Sequence, residues 1–135
     1  MADKIYRVLD ANLSRALEGL RVLEDIARFI LLNKKLSKQL KNLRHELAKL
    51  FKPLNRQMVG SRLRGKDPGA ALDSLLTKQR ASLEDLVAAN AKRCEQALRV
   101  LEESSKHQEW KFAKRLEKIR YQIYQLEKEL VTKLS

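Results

Sequence analysis

The chain has 135 residues, one cysteine and a formal net charge of +12. This length suits one compact domain, which we place over residues 1–135. A single cysteine excludes an internal disulfide and a cysteine-built metal cage. No apolar run approaches the roughly 20 residues of a membrane-spanning helix. The charged start, "MADKIYRVLD", does not look like a signal peptide, so we expect a cytoplasmic protein with no membrane partner. The positive charge favours anionic partners, although lysines that only keep a helical protein in solution explain it equally well.

Long stretches rich in Ala, Leu, Glu, Lys, Arg and Gln indicate helices, and the sequence contains no convincing strand. The first helix should run from about Asp3, a suitable N-cap, to about Leu32, where Asn33 begins a stop. Apolar residues at spacings of 3 and 4 predict a second helix over about 36–58. Pro53 should kink or end this helix.

A connecting loop over 59–81 then holds three of the four glycines. Ser82 followed by Asp85 is an acidic variant of the capping box and opens a third helix, which should reach about Lys106. The apolar pattern predicts a fourth helix from about Glu109 to Thr132. The chain therefore divides into two helical hairpins on either side of one loop.

The two hairpins resemble each other in sequence. The stretch "ANLSRALEGLRVLE", residues 11–24, returns as "ANAKRCEQALRVLE", residues 89–102. We therefore place internal repeats at 3–58 and 82–132. An internal duplication of a helical hairpin predicts an all-α four-helix bundle with approximate twofold symmetry.

Each repeat places polar side chains at or beside its apolar stripe. With about 100° of rotation per residue, Asn12 falls in the middle of the stripe and Arg15 about 60° to one side. Asn90 and Arg93 occupy the same positions in the second repeat. If such groups were left unpaired in a core, they would destabilise the fold by roughly several kcal/mol, so they need partners. Either the asparagines pair across the symmetry axis and the arginines meet buried carboxylates, or an anionic ligand enters an opening between the repeats.

The second hypothesis needs space inside the bundle. Gly19, with Ala97 opposite it, would leave room for a ligand near the two arginines. Arg44 and Arg120 lie at the edges of their own apolar stripes. Each of them either reaches toward the same opening or stays outside it.

The loop segment "GSRLRGKD", residues 60–67, has the Gly-x4-Gly-Lys spacing of a nucleotide-binding phosphate loop. Asp67 replaces the Ser or Thr of that motif, and a helix precedes the segment where a strand is required, so we do not count it as a match. A basic, glycine-rich loop can still bind phosphates through its amide groups. Asp67 could help to hold a magnesium ion. A simple connector explains the loop equally well.

Several segments together resemble a known family: "RVLDANLSRALEGLRVLEDIARF", "LRHEL", "KDPG", "AANAKRCEQALRVLEESSK" and "IRYQIYQLEKEL". This is the small, stand-alone hydroxymethylpyrimidine phosphate kinase family of thiamine biosynthesis, whose members also occur fused ahead of thiamine-phosphate synthase. The resemblance covers nearly all of the chain. It implies ATP-dependent phosphorylation of 4-amino-5-hydroxymethyl-2-methylpyrimidine phosphate to the diphosphate, with Mg²⁺ as cofactor and thiamine-phosphate synthase as a candidate partner.

The acceptor in that reaction is a phosphate oxygen that is already ionised near neutral pH, so no general base is needed. This agrees with the absence of a Ser-His or Cys-His pattern. Positioning and fixed positive charge would carry the reaction. The candidate catalytic residues are Arg15 and Arg93; the candidate phosphate-binding residues are Asn12, Asn90, Arg44, Arg120, Gly65, Lys66 and Gly69; the candidate metal ligands are Glu24, Glu102 and Asp67.

Two other functions fit the sequence. The domain could bind the pyrimidine phosphate, or dock on thiamine-phosphate synthase, without catalysing a reaction. The net charge of +12 also suggests a nucleic-acid-binding bundle, but basic residues are scattered over all four helices and the 5% of aromatic residues show no interleaved pattern. A homodimer is a further hypothesis, because Leu13, Leu17 and Leu20 widen the apolar arc of the first helix beyond one bundle seam.

Overall fold

The computed structural model describes residues 2–62, 67–69 and 78–135, and within these ranges the chain is helical without a strand. The predicted all-α four-helix bundle is confirmed. Four long helices and one short one follow each other within the described residues. They are α1 (Ala2–Asp25), α2 (Lys34–Phe51), α3 (Asn55–Gly60), α4 (Leu83–His107) and α5 (Ala113–Leu134).

In the first hairpin, α1 continues as a π-helical turn over Ile26–Ile30 before the chain reverses. Asn33 then caps α2, because its side chain accepts a hydrogen bond from the amide of Leu36 at 2.9 Å. A 3₁₀ turn over Lys52–Leu54 separates α2 from α3. The predicted break at Pro53 is therefore confirmed, since proline cannot donate the backbone hydrogen bond that a continuous helix needs.

In the second hairpin, the predicted cap of α4 is confirmed, because Ser82 Oγ accepts from the amide of Asp85 at 3.1 Å. The predicted start of the last helix at Glu109 is wrong. Glu109 has a φ of 57°, which is the left-handed region, and α5 begins only at Ala113. The turn of the first hairpin also contains a left-handed residue, Leu32, at a φ of 51°.

The two turns also share a hydrogen bond that spans five residues. Leu31 N donates to Ile26 O at 2.9 Å, and Trp110 N donates to Ser105 O at the same distance. In the first hairpin this bond belongs to the π-helical turn. In the second it belongs to a Schellman cap, in which Glu109 is left-handed and its amide also donates to Lys106 O at 3.1 Å. The two turns thus share a bond of the same span but reverse the chain in different ways.

The centre of the molecule is the pair formed by α1 and α4, which run antiparallel. α2 packs against α1, α5 packs against α4, and α2 touches α5 only over a short stretch. Buried leucines and isoleucines fill the space between them, among them Leu9, Leu20, Leu23, Leu40, Leu47, Leu98, Leu101, Leu116, Ile119 and Ile123. This core fixes the two repeats against each other through apolar burial.

Gly19 lies where α1 and α4 approach most closely. A Cβ atom on Gly19 would lie 2.5 Å from Cys94 Sγ and 2.9 Å from the carbonyl oxygen of Asn90. Ala97, 2% exposed, belongs to the same packed interface. The expectation that Gly19 and Ala97 leave room for a ligand is therefore wrong, because the opposite helix occupies that space.

Cys94 is a small core residue, as its place in the repeat predicts. Its thiol is buried and donates to the carbonyl of Ala16 at 3.3 Å. Burial, together with the nearby charge of Glu95, raises the pKa of Cys94 to about 12. The thiol is therefore protonated at neutral pH and serves packing.

The apolar residues behind the homodimer hypothesis face the core of the same subunit. Leu20 is fully buried, and Leu13 and Leu17 are half-buried against the core. Because these three leucines pack against the core, they do not form an exposed apolar face on α1. The homodimer stays a prediction that these residues do not support. None of the helices in the described part of the chain is long and apolar enough to cross a membrane.

Replacing Gly19 with alanine tests the close contact of α1 and α4. We expect Gly19→Ala to lower the free energy of unfolding by about 1–2 kcal/mol, because the new methyl group collides with Cys94 Sγ and Asn90 O. The collision must outweigh the gain of up to about 1 kcal/mol that alanine brings to a helix interior. Urea unfolding followed by circular dichroism measures the change.

Gly60→Ala is the matched control, since a Cβ atom there meets nothing within 4 Å among the described residues. It should leave stability unchanged or raise it slightly. A Gly19→Ala variant as stable as Gly60→Ala would contradict the close contact.

Candidate functional site

The two asparagines of the repeats do not pair with each other across the symmetry axis. Asn12, which is 6% exposed, donates from Nδ2 to the carbonyl of Val8 at 2.9 Å. Asn90 donates to the carbonyl of Leu86, also at 2.9 Å. Each amide thus bonds the backbone of its own helix four residues earlier, and the predicted pair is wrong.

The two arginines do not face a shared hollow, and that part of the prediction is also wrong. Arg15 and Arg93 are both exposed, because the close packing of α1 and α4 leaves no interior space between them. Arg93 Nη2 lies 3.6 Å from Glu18 Oε2 on α1. Arg15 makes only a weak hydrogen bond to Asn12 Oδ1, at 3.4 Å. The two repeats therefore place equivalent arginines in different surroundings.

Asn12 and Arg15 line a cavity on the outer side of α1, which we call the α1 N-terminal cavity. The volume of this cavity is about 670 Å³. The cavity lies between the first turns of α1 and the chain that follows α3. Its lining consists of Lys4, Arg7, Val8, Asp10, Ala11, Asn12, Arg15, Arg62 and Asp67.

An ion pair closes one side of this cavity. Arg62 donates to both carboxylate oxygens of Asp10, from Nε at 2.7 Å and from Nη2 at 2.9 Å. The hydrogen bond and the charge of Asp10 raise the pKa of Arg62 above its ordinary value. This bidentate contact fixes the segment after α3 to α1.

Three further cations line the cavity, namely Lys4, Arg7 and Arg15. Arg7 Nη1 is buried and has no hydrogen-bond partner in the described part of the structure. Arg15 is held only by its weak bond to Asn12, and Lys4 is exposed. A buried guanidinium nitrogen without an acceptor is costly, so this arrangement favours an anionic ligand such as a phosphate group.

Asp67 brings the central loop to the mouth of the same cavity. Its Oδ1 accepts a hydrogen bond from the amide of Gly69 at 2.9 Å, which folds the Asp-Pro-Gly segment into a local turn. The Gly69 amide is therefore already bonded in this conformation. Gly65 and Lys66, the other loop residues predicted to bind phosphate, lie outside the described residues.

Arg44 and Arg120 do not reach a common opening, contrary to one of the two expectations for them. Each binds a buried glutamate of its own hairpin. Arg44 donates to Glu24 at 2.8 Å and 3.5 Å, and Arg120 donates twice to Glu102 Oε1, at 3.3 Å and 3.2 Å. These pairs join α1 to α2 and α4 to α5.

Glu24 and Glu102 are consequently poor magnesium ligands. Both are almost fully buried, and both are neutralised by their arginines. Burial disfavours the Glu102 carboxylate, but hydrogen bonds from Lys106 and Arg120 and their charges outweigh it and lower the pKa of Glu102. Among the residues that the structure describes, no group of three or more His, Cys, Asp or Glu side chains could hold a metal ion. Asp67 is the one predicted metal ligand that lines the cavity.

Six residues of this lining were not predicted from the sequence, namely Lys4, Arg7, Val8, Asp10, Ala11 and Arg62. Arg7 and Asp10 stand five and two positions before Asn12, which places them about 140° and 160° from it around the helix, so helical spacing gave no signal for either. Arg62 gave no such signal, because it meets Asp10 from 52 positions away in the chain.

Glu95 is a buried carboxyl that sequence analysis also missed. It is 2% exposed, and Lys92 Nζ approaches its Oε1 at 3.3 Å as an ion pair. Burial is the largest influence on this group, and the carboxylate of Glu127 on α5 adds to it. Together they outweigh the attraction of Lys92 and raise the pKa of Glu95 to about 7.

The raised pKa predicts how stability depends on pH. Because the pKa of folded Glu95 lies above its ordinary 4.5, its contribution is fully present below about pH 4.5 and is lost as pH rises through about 7. We therefore expect Glu95→Gln, which stays neutral, to stabilise the protein more at pH 8 than at pH 5. Thermal unfolding across this pH range measures the effect.

Glu103→Gln on the same helix is the control, since its side chain is 50% exposed. It should change stability little at either pH. An equal effect of Glu95→Gln at pH 5 and pH 8 would contradict the raised pKa.

Comparison with known proteins identifies relatives along nearly the whole chain. Thiamine-phosphate synthase of Nostoc punctiforme is 45% identical over 127 residues, which are 94% of this chain. Thiamine-phosphate synthase of Rhodopirellula baltica is 44% identical over 132 residues, or 97% of this chain. The chain spans about a third of these relatives, 35% of each. No solved structure matches it.

The model of the ThiD2 family matches residues 7–129, a range that contains the lining of the α1 N-terminal cavity from Arg7 to Asp67 and most of both repeats. Together with the relatives, this match connects the chain with thiamine biosynthesis. The chain belongs to the ThiD2 family.

Proposed function

We propose that the protein is an ATP-dependent kinase that phosphorylates 4-amino-5-hydroxymethyl-2-methylpyrimidine phosphate to the diphosphate. The observation that carries the proposal is the α1 N-terminal cavity, where Arg7 and Arg15 stand beside Asn12 and where a buried guanidinium nitrogen of Arg7 has no acceptor among the residues that the structure describes. Family membership supplies the connection to thiamine biosynthesis. The cationic lining supplies a place for phosphate groups.

The reaction requires that the negative charges of the two phosphate groups be compensated, and it requires little acid–base chemistry. An oxygen of the substrate phosphate attacks the γ-phosphorus of ATP, the bond from that phosphorus to the bridging oxygen breaks, and ADP leaves. A terminal phosphate monoester carries about −1.5 to −2 charge near neutral pH, so the nucleophile is already ionised. The main obstacle is the repulsion between two anionic groups, which fixed positive charges reduce.

The cavity has the charges and the shape for this task. Arg7 would bind a phosphate oxygen from inside the cavity, and Arg15 and Lys4 would approach it from the solvent side. The Arg62–Asp10 pair keeps the cavity wall in place before the ligand arrives. Preformed donors of this kind stabilise developing charge without a further cost of reorganisation.

The cavity also fits a magnesium ion that is carried by phosphates. Mg²⁺ usually keeps several water ligands and binds through one or two carboxylates together with substrate phosphates. Asp67 at the cavity mouth has one oxygen outside its bond to Gly69, and we assign it the metal-binding role. When bound, the ion would neutralise phosphate charge during transfer.

Arginine substitutions test the proposal. We expect Arg15→Ala to lower kcat/KM for the pyrimidine phosphate by about 100-fold or more, because a charged donor to the transferring or accepting phosphate is lost. Arg15 is exposed, so the variant should keep its fold. Arg7→Lys should also reduce the rate, since a lysine cannot reproduce the guanidinium geometry. ADP release in a coupled assay measures the rates.

Arg93→Ala is the matched control, because Arg93 has the same place in the second repeat but pairs with Glu18 outside the lining of this cavity. It should stay close to the wild-type rate. Near-normal activity in Arg15→Ala and Arg7→Lys would remove this cavity from the reaction. A wild-type chain that consumes no ATP with the pyrimidine phosphate would overturn the kinase proposal.

A second candidate function is a non-catalytic partner of thiamine-phosphate synthase that binds the pyrimidine phosphate or docks on the enzyme. The observation that favours it is that the relatives named as synthases are about three times as long as the segment they share with this chain. Docking would require a contact surface for the synthase on this chain. Co-purification with the synthase, combined with absent ATP consumption, would support this function over the kinase.

A further inference from the structure

A second basic cavity lies at the opposite end of α1, where the chain turns into α2. We call it the turn cavity, and its volume is about 500 Å³. It is formed by the end of α1, the turn and the first two helical turns of α2. Its lining consists of Glu24, Arg28, Leu32, Asn33, Lys34, Ser37, Lys38 and Lys41.

The positive charges of the turn cavity are not compensated by neighbours. Arg28, Lys34, Lys38 and Lys41 form no ion pair with any residue that the structure describes. Glu24 is the one acidic residue in the lining, and Arg44 already neutralises it at 2.8 Å. Four cations therefore surround a concave space without a matching anion.

The second repeat differs from the first at the position of Arg28. Lys106 occupies the position equivalent to Arg28, and its Nζ donates to Glu102 Oε2 at 3.0 Å. Glu102 thus holds Lys106 in addition to Arg120. Arg28 instead lies over the ring of Phe29, with its Cζ atom 4.8 Å from the ring centroid, and leaves Glu24 to Arg44 alone.

The backbone adds to the positive potential of the turn cavity. α2 has 18 residues and no acidic residue in its first turn, although an acidic residue there would stabilise the helix dipole. Lys34 stands at this position instead. The Asn33 cap binds the amide of Leu36, and other amides of the first turn point toward the end of the helix, where an anion would be favoured.

The turn cavity is separate from the α1 N-terminal cavity. Arg15 and Glu24, the lining residues of the two cavities that come nearest to each other on α1, are nine residues apart, or about 13.5 Å at about 1.5 Å per residue. Phosphoryl transfer requires reacting atoms about 3–3.5 Å apart. A ligand in the turn cavity therefore cannot react with one in the α1 N-terminal cavity of the same chain.

The geometry points to a second anion site in the turn cavity, which binds the phosphate groups of a small phosphorylated ligand independently of phosphotransfer. Lys34, Lys38 and Arg28 contact the phosphate oxygens, and the start of α2 contributes its amides. Leu32, which is 80% exposed at the rim, offers an apolar contact to the organic part of the ligand.

Titration with inorganic pyrophosphate, followed by amide chemical shifts in solution, tests this site. We expect the amides of residues 33–38 to shift and saturate. In Lys34→Gln/Lys38→Gln the apparent Kd at these amides should rise about tenfold or more, because charge-assisted hydrogen bonds to phosphate are lost. The variant should keep the wild-type KM for the pyrimidine phosphate. Both lysines are exposed, so the fold should be unaffected.

Lys111→Gln/Lys114→Gln removes the same charge near the equivalent helix start of the second repeat, where Lys106 binds Glu102. It should leave binding at residues 33–38 unchanged. Unshifted amides at 33–38, while those near Asn12 saturate, would overturn the proposal. Equal weakening by the two double variants would also overturn it, since it would show a general effect of net charge.

Discussion

The close approach of α1 and α4 determines how the rest of the molecule is arranged. Gly19 places the backbone of α1 against the Cys94 side chain and the Asn90 carbonyl, so the two helices meet without a gap. Such contacts leave no space for a ligand on the symmetry axis. The two cavities with basic linings lie elsewhere, near the two ends of α1.

The duplicated hairpins share a framework but differ in the use of its polar positions. Glu24 and Glu102 are buried and paired with Arg44 and Arg120, which connects the helices of each hairpin. Removing one partner of a buried ion pair typically costs about 3–5 kcal/mol, so these residues are constrained by stability. The arginines at the helix surface carry no such constraint. Arg15 lines a cavity, whereas its repeat equivalent Arg93 pairs with Glu18. The two repeats thus share the scaffold, while equivalent arginines at their surfaces have different neighbours.

Much of the fold could be predicted because it depends on local signals. Apolar spacing located the four long helices, and Ser82 and Pro53 marked a helix start and a helix break. The burial of Asn12 also followed from helical geometry. The hydrogen-bond partner of Asn12 could not be predicted in this way, because a carbonyl of the same helix can accept from the amide as well as a distant group can. The start of the last helix was missed because Glu109 adopts a left-handed conformation that the sequence does not announce.

The candidate site was harder to predict than the fold. Helical geometry placed Arg15 near the apolar stripe of α1. A long side chain at the edge of such a stripe can still extend its charged end into solvent, and Arg15 does so. The contact of Arg62 with Asp10 joins residues that are far apart in the sequence, so no spacing rule applies to it. Glu95 aligns with the apolar Leu17 of the first repeat, so comparing the two repeats gave no sign of a buried carboxyl at this position. Tertiary packing decided each of these cases.

The central claim is that the cationic cavity beside the first turns of α1 binds the substrate phosphate. A crystal structure of the chain with 4-amino-5-hydroxymethyl-2-methylpyrimidine phosphate tests it most directly. The account predicts the phosphate group within hydrogen-bond distance of Arg7 Nη1, next to Arg15 and the Asp67 turn. A phosphate bound elsewhere, with Arg7 Nη1 still lacking an acceptor, would contradict it.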